Sequence, residues 1–122
     1  DYYIANLPED KVAYWDLEFT DGTEPRDSSA ASIAVCGLNQ ALKDMPLDVE
    51  HKARYAKAMN DILESLIDNY ASCEGDGKDG LLLHGTYYYA GNLGIDECCI
   101  WGDYFYLEAL CRMLNPDFKK FW

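Results

Sequence analysis

A handful of residues have a type and a setting that suit chemistry. His84 follows three leucines and precedes Gly85, just ahead of the tyrosines at 87–89. An imidazole there either closes its hydrogen bonds at the edge of a core or stands on a cleft wall and donates to a ligand oxygen. Arg26 adjoins Asp27-Ser28-Ser29, whose oxygens suit a helix N-cap. A helix N-terminus favours anions, and a guanidinium beside it grips a carboxylate with a two-pronged fork. Asp27 opposes an anion at that place unless capping consumes it. Trp101-Gly102-Asp103 opens a last helix. Asp103 there suits the helix dipole, and Trp101 before a glycine offers a stacking platform. Asp96 and Glu97 are adjacent carboxylates, the residue type of general acid–base catalysis. Consecutive side chains seldom converge on one atom, so both read as structural.

Metal readings fail on spacing. The acidic turn at 74–80 invites calcium, yet an EF-hand loop starting at Glu74 would put Lys78 at a ligand position and Asp79 at the glycine position. His84, Cys98 and Cys99 lack the paired spacing of a zinc site, and side chains of adjacent cysteines point apart. Cys36, Cys73, Cys98, Cys99 and Cys111 are odd in number and follow no disulfide framework. They read as reduced thiols of a cytoplasmic protein. No metal or organic cofactor is expected.

The elements that must position these groups are helical. Residues 1–6 read as the last turn of a helix, ended before Pro8. Residues 11–26 carry Val12, Tyr14, Trp15, Leu17 and Phe19 without helical period, so they form an ordered loop anchored by aromatics. A helix starts at 27–29 and runs through small residues nearly all round, which marks a buried helix. Lys43-Asp44-Met45-Pro46 stops it. Residues 49–71 form an amphipathic helix, with Tyr55, Met59, Ile62, Leu63, Leu66, Ile67 and Tyr70 recurring at three and four. A last helix spans 102–114 with a stripe of Leu107, Leu110, Cys111 and Leu114, followed by an apolar tail of Phe118, Phe121 and Trp122. No strand is expected, so the fold class is all-α.

The 122 residues hold 49% hydrophobic positions, enough for one packed piece. Ten Lys and Arg against 22 Asp and Glu give a net charge of −12, which excludes nucleic acid and disfavours an anionic membrane. No apolar run approaches the roughly 20 residues that span a bilayer. The chain opens at Asp1 without a methionine or a signal-peptide pattern, so its original start is expected to be missing. Long loops and an all-round apolar helix with few neighbours suggest a part of a larger helical protein.

Four segments carry a resemblance: Tyr14-Trp15-Asp16-Leu17, the run Arg26 to Ala34, Gly80-Leu81-Leu82-Leu83-His84-Gly85, and the run Asp96 to Leu110 with its Trp101-Gly102-Asp103. In order and spacing the chain resembles the C-terminal third of the unsaturated glucuronyl hydrolases, glycoside hydrolase family 88. The Cys98-Cys99 pair departs from the family's pattern, which favours Ser or Thr at one of the two. The resemblance implies an (α/α)6 barrel, a six-hairpin barrel of which residues 1–122 supply the last three to four helices as a single piece. It implies an enzyme that removes a 4,5-unsaturated uronic acid from the non-reducing end of lyase-generated oligosaccharides. The double bond is hydrated, with an Asp as general acid and base, and the hemiketal opens to release the saccharide. The family's catalytic aspartates lie in the earlier part of that fold, so no catalytic residue is assigned in this chain. Substrate-binding candidates are His84, Trp101, Asp103 and Arg26. The expected partners are the unsaturated oligosaccharide and the rest of the barrel. The alternatives are an unsaturated rhamnogalacturonyl hydrolase and a non-catalytic helical binding module.

Overall fold

The computed structural model describes residues 1–75 and 79–120. Asp76, Gly77 and Lys78 of the acidic turn weighed for calcium, and Phe121 and Trp122 of the apolar tail, lie outside the described residues. A short helix α1 (Tyr2–Ala5) leads through an ordered loop to α2 (Ser28–Asp44), α3 (Val49–Ser65) and a π-helical turn (Leu66–Tyr70). A β-hairpin follows, β1 (Gly85–Tyr88) and β2 (Leu93–Glu97), and then α4 (Ile100–Leu114).

Capping fixes where the helices start. Asp27 closes α2 by accepting from the amides of Ser29 and Ala30, and Asp48 closes α3 by accepting from that of His51. Each cap satisfies donors that a helix's first turn leaves without partners. Helix α2 packs against both α3 and α4. The core between them holds Val12, Ala31, Val35, Cys36, Met59, Ile62, Leu63, Leu66, Tyr70, Leu82, Tyr106 and Ala109. Gly102 brings α4 against the start of α2, where an added Cβ would sit 3.2 Å from Ser29 Cβ and 3.1 Å from Cys99 Sγ.

Four expectations are revised. The hairpin adds strand to a fold read as wholly helical. Its strands pair Thr86 with Ile95 and Tyr88 with Leu93, around a short turn at Tyr89–Gly91 that Asn92 closes at φ 51°, with Gly94 at φ 60° already in β2. The run of tyrosines hid the hairpin, because Tyr87, Tyr88 and Tyr89 are all exposed and show no in–out alternation. Helix α3 also ends earlier than read, and the same apolar pattern continues through the wider π turn with Leu66 and Tyr70 still buried. On α4 the buried side is Gly102, Tyr106, Ala109 and the ion pair Glu108–Arg112, whereas Leu107 and Leu114 face outward. The inner face is thus turned from the expected stripe, of which only Leu110 packs on the core and Cys111 is half-buried, because a salt bridge with Arg112 Nη2 2.7 Å from Glu108 takes part of that face. Likewise α2 is not covered all round, since Ile33 is exposed and nothing lies near Gly37.

Candidate functional site

The base of the hairpin and the end of α3 meet at His84. Backbone bonds hold the incoming segment to the π turn: Leu83 N donates to Tyr70 O at 2.8 Å and Ser72 N donates to Leu81 O at 3.0 Å. Asp103 anchors the same segment from α4, its Oδ1 accepting from the amides of Leu81 and Leu82 at 2.9 Å each. The start of α2 completes the frame, with Ser28 N donating to His84 O at 3.2 Å and Ser28 Oγ to Leu83 O at 2.5 Å. His84 is thus gripped through its backbone while its side chain stays about half exposed.

Asp96 reaches His84 from the far strand. Its Oδ1 lies 2.5 Å from His84 Nδ1. Both residues sit in the left-handed backbone region, His84 at φ 63° and Asp96 at φ 61°. Gly85 opens the hairpin beside them, where a Cβ would come 3.0 Å from Glu97 O and crowd the partner strand. Tyr70 approaches the imidazole edge-on with ring centres 5.7 Å apart.

A second chain of contacts starts from Tyr70. Its hydroxyl donates to Asp10 Oδ2 at 2.7 Å, and Asp10 Oδ2 lies 3.2 Å from Arg26 Nη2. Burial, then this bond to a carboxylate, pushes the Tyr70 phenol above its ordinary pKa, so it remains a donor. Arg26 also donates to Val12 O at 2.7 Å and stacks over Tyr14 at 3.8 Å. Asp10, Arg26, Asn69, Tyr70 and His84 together line a cavity of about 390 Å³. An adjoining cavity of about 300 Å³ is lined by Leu83, His84, Asp96, Glu97 and Cys98. His84 is common to both.

Of the residues singled out in the sequence, His84 and Arg26 therefore line one cavity. Trp101 and Asp103 do not line it. Trp101 Nε1 donates to Ser29 Oγ at 3.1 Å and its ring lies 5.4 Å from that of Tyr87. The anion reading of the α2 N-terminus is not favoured, because Asp27 Oδ1 already accepts from Ser29 and Ala30 there. Asp10, Tyr70 and Asp96 escaped the sequence reading. Tyr70 counts as core by period alone, Asp10 sits in a turn, and Asp96 reads as structural together with its neighbour Glu97. Only the hairpin register, invisible without the fold, pairs positions 84 and 96. Among the described residues no group of three or more His, Cys, Asp or Glu is placed to hold a metal ion.

No protein-family model matches the chain. Known proteins do. The chain is 48% identical over 122 residues to the unsaturated chondroitin disaccharide hydrolase of Streptococcus agalactiae, covering 99% of this chain and 30% of that protein. It is 35% identical over 113 residues to the unsaturated glucuronyl hydrolase of Bacillus sp. GL1, covering 92% of this chain and 30% of that one. Its backbone superposes on the crystal structure of the Streptococcus agalactiae unsaturated glucuronyl hydrolase with a TM-score of 0.92, over 99% of this chain and 32% of that one. On the Bacillus sp. GL1 structure the TM-score is 0.84, at 36% identity over 93% of this chain and 30% of that one. The chain thus spans less than a third of the curated relatives that it matches first. Sequence and fold together make the chain similar, along nearly its whole length, to about a third of the unsaturated glucuronyl hydrolases, proteins of the (α/α)6-barrel fold.

Proposed function

We propose that the protein to which these residues belong is a glycoside hydrolase that hydrates the double bond of a terminal unsaturated uronic acid and so releases the saccharide. The observation carrying this reading is the 48% identity, over the whole chain, to an unsaturated chondroitin disaccharide hydrolase. A related structure holds dGlcA-GalNAc6S, which supports an unsaturated oligosaccharide as the ligand class. In this reading the chain supplies one wall of the substrate cleft. His84 and Arg26 face the sugar, Trp101 offers an aromatic surface beside the hairpin, and Asp103 acts by holding residues 81–84 in place. The general acid and base come from the rest of the barrel. Net charge −12 repels an anionic substrate at long range, so recognition rests on local contacts at the cleft.

The reaction places simple demands on this wall. Protonation of the vinyl ether carbon generates an oxocarbenium character that water then quenches. The wall must hold the uronate ring still while proton and water arrive, and its aromatic lining must keep stray water out. It requires no metal or organic cofactor. Among the described residues no helix is long and apolar enough to cross a membrane. All five cysteines are thiols, which supports a cytoplasmic setting.

The test uses the full-length protein with unsaturated chondroitin disaccharide, following loss of the ultraviolet absorbance of the double bond. Turnover is expected, and His84→Ala should lower kcat/KM by about tenfold to a hundredfold, the worth of a hydrogen bond in a polar site. An inert wild-type protein, or an Ala variant with full kcat/KM, would count against the proposal.

A further inference from the structure

The hairpin spends two non-glycine residues in left-handed backbone to bring one carboxylate to one imidazole. His84 at φ 63° and Asp96 at φ 61° flank the strands at their open end, and their side chains meet at 2.5 Å. A register irregularity between Gly85 and Thr86 falls at the same place. Such backbone persists where surrounding structure enforces it, and it gathers at sites where a side chain must be aimed. The contact contributes little to stability, because both side chains are largely exposed, at 44% and 64%. Stability therefore does not account for the arrangement, and aim does.

Chemistry fixes what the contact does. An ionised carboxylate only accepts hydrogen bonds, so His84 Nδ1 must carry the proton between them. A neutral imidazole then has its lone pair on Nε2. We infer that Asp96 is a positioning residue: it holds His84 in the Nδ1–H tautomer and turns Nε2 into the cleft as an acceptor for a substrate hydroxyl. Tyr70 closes off rotation from the other side, edge-on at 5.7 Å, and is itself held by Asp10. The imidazole is held at Nδ1 by one strand and packed by the end of α3, and among the described residues Nε2 has no hydrogen-bond partner. In this role Asp96 acts through His84. The role deepens the proposed function and rests on it for the identity of the hydroxyl. The tautomer does not depend on it.

The experiment has two arms, both on the full-length protein. In the first, nitrogen NMR of histidine-labelled protein reads the His84 tautomer directly. The Nδ1–H form is expected in the wild type. In Asp96→Gly, which accepts left-handed backbone freely, the ring should shift towards the Nε2–H form that predominates in free histidine. An Nε2–H ring in the wild type overturns the inference whether or not the protein turns over any sugar. In the second, kcat/KM on unsaturated chondroitin disaccharide is compared across Asp96→Gly, Asp96→Asn, His84→Ala and the double variant His84→Ala/Asp96→Gly. Asp96→Gly should lose about tenfold, and Asp96→Asn less, since its amide oxygen still accepts from Nδ1. The double variant should be no worse than His84→Ala alone. Additive losses would mean that Asp96 acts independently of His84, and the inference would fail. An inert wild-type protein with the Nδ1–H tautomer present would sink the proposed function and leave the positioning role standing.

Discussion

His84, Arg26, Asp103 and Cys36 show how differently similar-looking residues are used. His84 keeps one nitrogen uncommitted, whereas Arg26 spends its guanidinium on Val12 O, Asp10 and the face of Tyr14. Arg26→Lys should thus lower the melting temperature, because an ammonium cannot fork and stack at once. We expect a loss of about 1–2 kcal/mol, read from chemical denaturation and drawn from the exposed cation–π and ion-pair ranges. Cys36 is sealed between α2 and α4. Burial first, and then the nearby Glu108 charge, push its thiol up to about 12, with Arg112 opposing. Cys73 is exposed. The thiolate is the reactive form, so at mildly alkaline pH iodoacetamide should label Cys73 promptly and leave Cys36 untouched until the fold opens. Peptide mass spectrometry after timed quenching checks the order, and early labelling of Cys36 would contradict the burial. His84 was legible in the sequence because a polar residue interrupts an apolar run ahead of a glycine. Its partner Asp96 was not, because partnership across a hairpin depends on register rather than on neighbours in sequence.

At the scale of elements, the three long helices were readable from caps, stop signals and period. Asp27 as N-cap of α2 and Pro46 beyond its end are local signals, and local signals survive without tertiary context. The stripe on α4 is legible only in part, since period brings Leu110 to the core but cannot say that a buried Arg112–Glu108 pair takes the rest of the inner side. The hairpin was missed because its exposed tyrosines mask alternation. Asp103 ties these elements together: a side chain in the first turn of α4 holds two amides of the segment leading to His84. Hydrogen bonds to a charged group contribute about 1.5–3 kcal/mol each. Asp103→Ala should destabilise the protein by about 2–4 kcal/mol and also reduce kcat/KM as His84 drifts, while Asp103→Asn retains an acceptor and should lose less. Calorimetry and turnover on the same preparations separate the two effects. A stable, fully active Ala variant would show that the anchor is dispensable.

The molecule as a whole presents apolar surface on its outer helices. Ile100, Tyr104, Leu107 and Leu114 run down one side of α4, and Ile33 stands open on α2. Contiguous patches of this kind drive association, at about 25 cal/mol for each Å² covered. The 122-residue chain expressed by itself should self-associate and show no turnover of unsaturated disaccharide, with light scattering giving masses above 13.9 kDa. A sharp monomer peak with a cooperative melt would contradict this. Folding the site into a connection between helices also shapes which changes in length the protein tolerates. The π turn at Leu66–Tyr70 holds one residue more than an α-helical turn needs, and it carries Tyr70 to His84. Deleting Asn69 would let α3 run on as regular helix while rotating the residues beyond the deletion by about 100° about its axis. The shortened protein should melt lower, because Tyr70 leaves the core and its bond to Asp10, and should lose about tenfold or more in kcat/KM. A lineage that discarded this residue would therefore gain helical regularity and lose both packing and the aim of His84, so the extra residue is kept by stability and by turnover together.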